Sequence, residues 1–194
     1  FTIKKGEYGV TVLMETSAAE RKTRAKLHNG MRNELLNQET IVYEDIASGM
    51  DMEYAVLSNG VKENIIVKDR AVSYKYGFKL HCENVYVKIE KQQKRIAFCS
   101  NQTNETVFFI PEPFMKDANG VISRDVFYEV KEKSKHEFEF FIMADVDWMN
   151  AKERAFPVVI DPQIMVFESD ITTYGWYNGV LFGSAWERIG VTYM

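Results

Sequence analysis

Carboxylates are the first side chains here that could do chemistry. Asp51 and Glu53 stand two apart in GMDMEYAV, and residues two apart on a strand leave from the same face. A glycosidase could set its acid and its second carboxylate that way. The same spacing also describes a solvated strand face with Lys62 and Asn64 near it. With 28 Asp and Glu residues in 194, chance pairs are expected, so the solvated face is the preferred reading. Asp117-Ala118-Asn119-Gly120 begins like a calcium loop but lacks the later acidic ligand that completes one, and it reads as a turn. His28, His81 and His136 have no metal-ligand spacing, and no nucleophile elbow, zinc-helix or phosphate-loop motif occurs. Arg154 reads as an anchor for a nearby carboxylate or carbonyl. No catalytic residue, metal or cofactor is expected.

Aromatic side chains are the second candidate. Tyr174, Trp176, Tyr177, Phe182 and Trp186 crowd together among glycines. Sugars stack their C–H faces on such rings, which makes Trp176, Tyr177, Trp186 and Tyr174 the candidate glycan-binding residues. The competing reading, preferred here, is that these rings pack a core or an interdomain contact.

The elements that would position these residues are strands. In GMDMEYAV, Met50, Met52, Tyr54 and Val56 fall on one face, as in a half-buried strand. Asn59-Gly60 then suits a tight hairpin, and pairing Ser58 with Val61 would set Tyr54 opposite Ile65 and Met52 opposite Val67. The alternation returns in VYVKIE, RIAF, VFYEV and EFEFFIMA. Pro111 and Pro113 mark a strand end, and Pro162 holds another after Asp161. Helix signals are few: the polar stretch Ala18 to Gln38 could be helical or extended, and DWMNAKERA predicts one or two turns with Asp147 as N-cap and Pro157 closing it. Pairing VYVKIE with RIAFCS sets Cys99 against Tyr86. Cys82 then lies four residues further along the strand, roughly 13 Å away at ~3.3 Å per residue, so two free, partly buried thiols are expected. The predicted fold is mainly β: an antiparallel β-sandwich built from serial hairpins, with one short helix near residues 147–155. Residues 1–165 form the sandwich, and residues 166–194 add aromatic-rich strands that complete it or begin a following module.

Composition narrows the function classes. With 46% apolar and 27% charged residues the chain is that of a folded protein. A net charge of −4 and a pI near 5.5 lack the basic footprint of a nucleic-acid binder, so no nucleic-acid partner is expected. No apolar run is long enough to span a bilayer as a helix, so no membrane partner is expected either. Phe1 opens without a charged and apolar leader, and the chain reads as a piece cut from a longer protein.

Three ordered phrases carry a family resemblance. Asp45-Ile46, Gly49-Met50-Asp51-Met52-Glu53-Tyr54 and Gly60-Val61-Lys62-Glu63-Asn64-Ile65-Ile66 form the first. Ile110-Pro111-x-Pro113-Phe114-Met115-x-Asp117-Ala118-x-Gly120 is the second. Asp145, Trp148, Met149, Arg154, Phe156, Pro157, Val158, Ile160, Asp161 and Pro162 form the third. Together they resemble a β-rich module of the large wall-associated YD-repeat surface proteins of Gram-positive bacteria, Rhs-like and teneurin-like. Residues 1–40 and those after Pro162 match less. The resemblance implies a non-catalytic structural or adhesive module, extracellular, cell-wall associated or secreted. Its partners would be neighbouring modules of the parent and, in the second reading, a polysaccharide or cell-wall glycan. A carbohydrate-binding module is the alternative, and an enzyme ranks third.

Overall fold

A computed structural model describes residues 1–15, 25–28, 40–57, 59–166, 175–177, 180–182 and 189–192. The strands are β1 (Thr2–Lys5), β2 (Tyr8–Met14), β3 (Ala25–His28), β4 (Thr40–Ala47), β5 (Met50–Leu57), β6 (Gly60–Val67), β7 (Lys75–Glu83), β8 (Val85–Glu90), β9 (Arg95–Ser100) and β10 (Thr106–Ile110). They continue with β11 (Phe114–Lys116), β12 (Ile122–Ser123), β13 (Val126–Glu132), β14 (Glu137–Ala144), β15 (Val158–Asp161), β16 (Gln163–Val166), β17 (Gly175–Tyr177), β18 (Val180–Phe182) and β19 (Ile189–Thr192). Within the polar stretch from Ala18 to Gln38, β3 is extended rather than helical.

Two antiparallel sheets make a sandwich. One runs β13-β14-β7-β2-β1-β19, and the other runs β12-β11-β15-β6-β16-β10-β9-β8 with β5, β4 and β3 continuing from β6. Period-two alternation decides which face of each strand turns inward. In β14, Phe138, Phe140 and Ile142 are buried while their neighbours are more open, and in β6 Val61, Ile65 and Val67 do the same. Phe78, Leu80 and Ile142 from the first sheet share one core with Met52, Phe98 and Phe108 from the second. Fully burying each such side chain contributes about 1.5–3 kcal/mol. Among the described residues no helix is long and apolar enough to cross a membrane.

Strand β6 is a fork. One edge pairs with β5 along its length, from Leu57↔Gly60 to Met50↔Val67. The other edge is shared: β15 covers Ile65 to Val67 and β16 covers Gly60 to Lys62. Pro162 joins the two, and its carbonyl accepts the Glu63 N–H at 3.0 Å. At the other end, Asn59 accepts the Val166 N–H at 2.7 Å.

The fork corrects the expected hairpin register. Val61 pairs with Val56 rather than Ser58, so Tyr54 faces Glu63 and Met52 faces Ile65. Gly60 does not supply a left-handed turn residue. It lies inside β6, where an added Cβ would sit 2.2 Å from the Ile164 carbonyl oxygen. Because the slip is two residues, Met50, Met52 and Tyr54 keep their inward face.

The helix is also shorter than expected and starts earlier. It spans Val146–Asn150, and its N-cap is Asp145 rather than Asp147. Asp145 has extended dihedrals and its Oδ1 accepts the Trp148 N–H at 2.7 Å, leaving Asp147 in the first turn. The chain leaves helical geometry at Ala151, well before Pro157. Cys82 and Cys99 are both free and buried, and Cys99 pairs across from Tyr86 as the strand pattern predicts.

Gly60→Ala should destabilise the protein by about 2 kcal/mol or more, since backbone must move to admit the methyl group. Gly49→Ala is the comparison. Gly49 has φ +70 with open space around it, so only the left-handed backbone cost of about 1–2 kcal/mol applies. Urea denaturation of the two variants checks the order; Gly60→Ala unfolding like the unsubstituted chain would contradict the fork geometry.

Candidate functional site

The fork gathers several buried ionisable groups. Glu63 occupies an inward position of β6 between Val61 and Ile65 and is buried. Burial pushes its carboxyl up to about 7, against the opposing pull of a hydrogen bond from Tyr54. The Tyr54 ring is held edge-on by Phe1 and Tyr43, each 5.8 Å away between centroids. Lys62, the next residue along, bonds Asp161 Oδ2 at 2.8 Å. Burial raises the Asp161 carboxyl and Lys62 opposes that rise. From the first sheet, the Tyr128 phenol is raised by burial and then by the charges of Asp161 and Glu63. Among the described residues, Glu63 Oε1, Asp161 Oδ1 and the Tyr128 hydroxyl have no hydrogen-bond partner. A carboxyl near neutral pKa beside a phenol has the composition of an acid–base pair. Glu63 itself is buried, whereas Tyr54 and Tyr128 are partly buried, so the titration of Glu63 is read in stability.

The third resemblance phrase closes a second buried cluster. Asp117 Oδ1 accepts the N–H groups of Asn119 at 3.0 Å and Val121 at 2.9 Å, and its Oδ2 takes Arg154 Nη1 at 2.9 Å. Burial alone would raise this carboxyl, but those donors outweigh it and hold it below the usual range. Arg154 also donates through Nε to the Trp148 carbonyl at 3.1 Å and lies 3.4 Å from the Trp148 ring centroid. With the Ala155 N–H also reaching Oδ2 at 3.4 Å, each Asp117 oxygen takes two donors, which leaves the carboxylate occupied rather than open to a calcium ion. The turn reading of 117–120 and the anchoring role of Arg154 both follow from these contacts.

The other sequence candidates separate. Asp51 Oδ1 accepts the Asp45 N–H and shares Lys68 with Asp45 at 2.7 Å, and those two carboxylates raise the Lys68 ammonium to about 12. Glu53 Oε1 instead accepts from Asn64 Nδ2 at 2.7 Å. The two acids are thus engaged separately. His81 contacts Glu137, and His136 Nδ1 lies 3.1 Å from the Cys82 carbonyl. The two imidazole centroids are 6.4 Å apart, a juxtaposition made by β7–β14 pairing. Among the described residues no group of three or more His, Cys, Asp or Glu could hold a metal. Of the aromatic candidates, Trp176 and Tyr177 lie in β17, which pairs with β18, but their side chains, and Tyr174 and Trp186 altogether, lie outside what is described.

An open cleft of about 270 Å³ lies where the β8–β9 turn meets the link between β12 and β13. Its floor is Ile96, Pro113 and Val126, and its walls include the exposed Ile89 and Phe127. Four cations, Lys91, Lys94, Arg95 and Arg124, line it against two carboxylates, Glu90 and Glu112. Glu112 is bridged by Lys94 at 2.7 Å and by Arg124 at 3.2 Å, from two different connections, and these partners, Lys94 foremost, lower its carboxyl. Glu90 is paired with Arg95 and with Lys88. Sequence reading missed the cleft because Lys91 and Arg124 are far apart along the chain.

No family model and no solved structure matches this chain. It is 24% identical over 178 residues to the tRNA(Glu)-specific nuclease WapA of Bacillus subtilis subsp. natto. Identity is 23% to the tRNA nuclease WapA of Bacillus subtilis and 22% to the tRNA3(Ser)-specific nuclease WapA of Bacillus spizizenii. Each alignment takes in 88% of this chain but only 7 or 8% of the relative, so the chain spans under a tenth of the length of the curated relatives it matches.

These relatives correct several expectations. The relatives found are named as tRNA nucleases rather than as non-catalytic surface modules, and they leave a link to YD-repeat proteins as a suggestion only. The non-catalytic structural or adhesive reading, and its carbohydrate-binding alternative, conflict with those names. So do the expectations of no enzyme and of no nucleic-acid partner, and nothing found supports a glycan partner. The physical error lay in the charge argument. A net charge of −4 belongs to one short segment; it neither reports the rest of a long polypeptide nor excludes a local cationic cleft.

Glu63 gives a pH test. Its folded value of about 7 lies above the ordinary 4.5, so its contribution to stability is full below about pH 4.5 and is lost as pH rises through about 7. The loss is roughly 3 kcal/mol at ~1.4 kcal/mol per pKa unit. Glu63→Gln should remove that loss, leaving the variant more stable relative to the unsubstituted chain at pH 8 than at pH 4.5. Parallel stability curves from urea denaturation across this range would contradict the assignment.

Proposed function

We propose that this chain is one segment of a long nuclease that acts on tRNA. The alignment to three relatives named as tRNA nucleases, across 88% of the chain, carries the reading. The proposal concerns the whole polypeptide and assigns its bond-breaking groups to no residue of this segment.

The relatives' names divide the labour further. One is named for tRNA(Glu) and another for tRNA3(Ser), yet this segment is 24% identical to the first and 22% to the second. A segment about equally similar to both is a poor place to encode the difference between them. The choice of tRNA is therefore assigned elsewhere in the polypeptide, and this segment is given a part that any tRNA could use.

The test is incubation of the full-length polypeptide containing this chain with end-labelled total tRNA, read on a denaturing gel. Discrete fragments from a subset of tRNAs are expected. Intact tRNA at every protein concentration, with and without added divalent cations, would overturn the reading.

A further inference from the structure

The cleft between the β8–β9 turn and the β12–β13 link has an arrangement that folding does not require. Exposed ion pairs contribute little to stability, yet Lys94 and Arg124, 68% and 64% exposed, are held over one carboxylate from two separate connections. Lys91 adds a third exposed cation with no ion pair among the described residues. An ammonium has three donors and a guanidinium five, so bonding to Glu112 leaves both cations with donors to spare. Phe127 is 57% exposed and Ile89 is 53% exposed, two apolar walls in a cleft otherwise rimmed by charge.

We propose that this cleft binds one nucleotide unit of an RNA strand, its phosphate held by Lys91, Lys94 and Arg124 and its base laid against Phe127. The inference rests on the reading of the parent polypeptide as a tRNA nuclease and assigns part of the RNA contact to this segment. A cavity near 270 Å³ is at the small end of ligand sites; it suits one nucleotide and not a duplex. Cations that track phosphate together with a ring that stacks a base give binding with little sequence preference. That is the recognition expected of a segment shared by relatives named for different tRNAs. Glu90 and Glu112 do not repel the phosphate strongly, since each is already neutralised by two cations.

Fluorescence anisotropy tests this with the 194-residue chain, fluorescein-labelled single-stranded oligoadenylate and labelled total tRNA, between 50 and 200 mM salt. The variants are Lys91→Ala, Arg124→Ala and Phe127→Ala, with Lys135→Ala as a distant cation control and circular dichroism melts to check folding. Lys91→Ala removes no ion pair among the described residues, so the cleft stays testable even if Arg124→Ala unfolds. Saturable binding is expected, with the slope of log affinity against log salt falling by about 0.7 for each cleft cation removed. Phe127→Ala should weaken binding by about tenfold without changing that slope, and Lys135→Ala should change neither. Absence of saturable binding at 50 mM salt would overturn the proposal. So would equal loss in Lys135→Ala, or indifference to Phe127→Ala with equal displacement by polyglutamate, which would mark a general polyanion surface. The two readings fail separately. Cleavage of tRNA by the full-length polypeptide without binding here removes only the cleft; cleft-dependent binding without any cleavage removes only the nuclease.

Discussion

The close approach of β16 to Gly60 is the contact on which the second sheet depends. A strand ordinarily has one neighbour on each edge, but β6 gives one of its edges to two strands joined through Pro162. Proline suits that joint because it offers a carbonyl, which Glu63 N–H uses, and has no N–H of its own to satisfy. Glycine suits the other end because any side chain would meet the Ile164 carbonyl. From this fork the sheet extends in three directions: to β5 and β4, through β15 to β11, and through β16 to β10, β9 and β8.

The same joint explains where the buried charges sit. Glu63 stands at the point where β15 ends and β16 begins, and Asp161 and Lys62 meet beside it. Ionised, Glu63 loses more hydration than its Tyr54 hydrogen bond returns, which is why its carboxyl lies near neutral. Asp117 is as deeply buried yet stays below the usual range, because backbone N–H groups and Arg154 surround it. Two buried carboxyls therefore answer to pH in opposite directions within one fold.

Most of the strands were legible because alternation is a local signal. Val126, Tyr128 and Val130, or Phe138, Phe140 and Ile142, announce their faces without help from the rest of the chain. The register at the fork was not legible, since Gly60 is fixed by β16, a strand roughly a hundred residues away, rather than by a turn. That misplacement set Ile65 where Glu63 belongs and hid the buried carboxylate. The helix cap was missed because both Asp145 and Asp147 fit the residue preference, and only backbone geometry separates them. The cleft cations lie on two connections that no periodicity links, and net charge, being a sum, conceals them. Function was least legible of all, because the resemblance in three phrases follows the sandwich's turns and anchors rather than any reacting group.

The proposed RNA contact rests on one feature of the sandwich, a cleft where Lys91, Lys94 and Arg124 stand beside the exposed ring of Phe127. The most direct measurement is ultraviolet cross-linking of tRNA to the full-length polypeptide, followed by mass spectrometry of the adducted peptides. Adducts in the stretches 89–96 and 112–128 are the predicted result. Adducts found only outside this segment, from a polypeptide that cleaves tRNA, would contradict it.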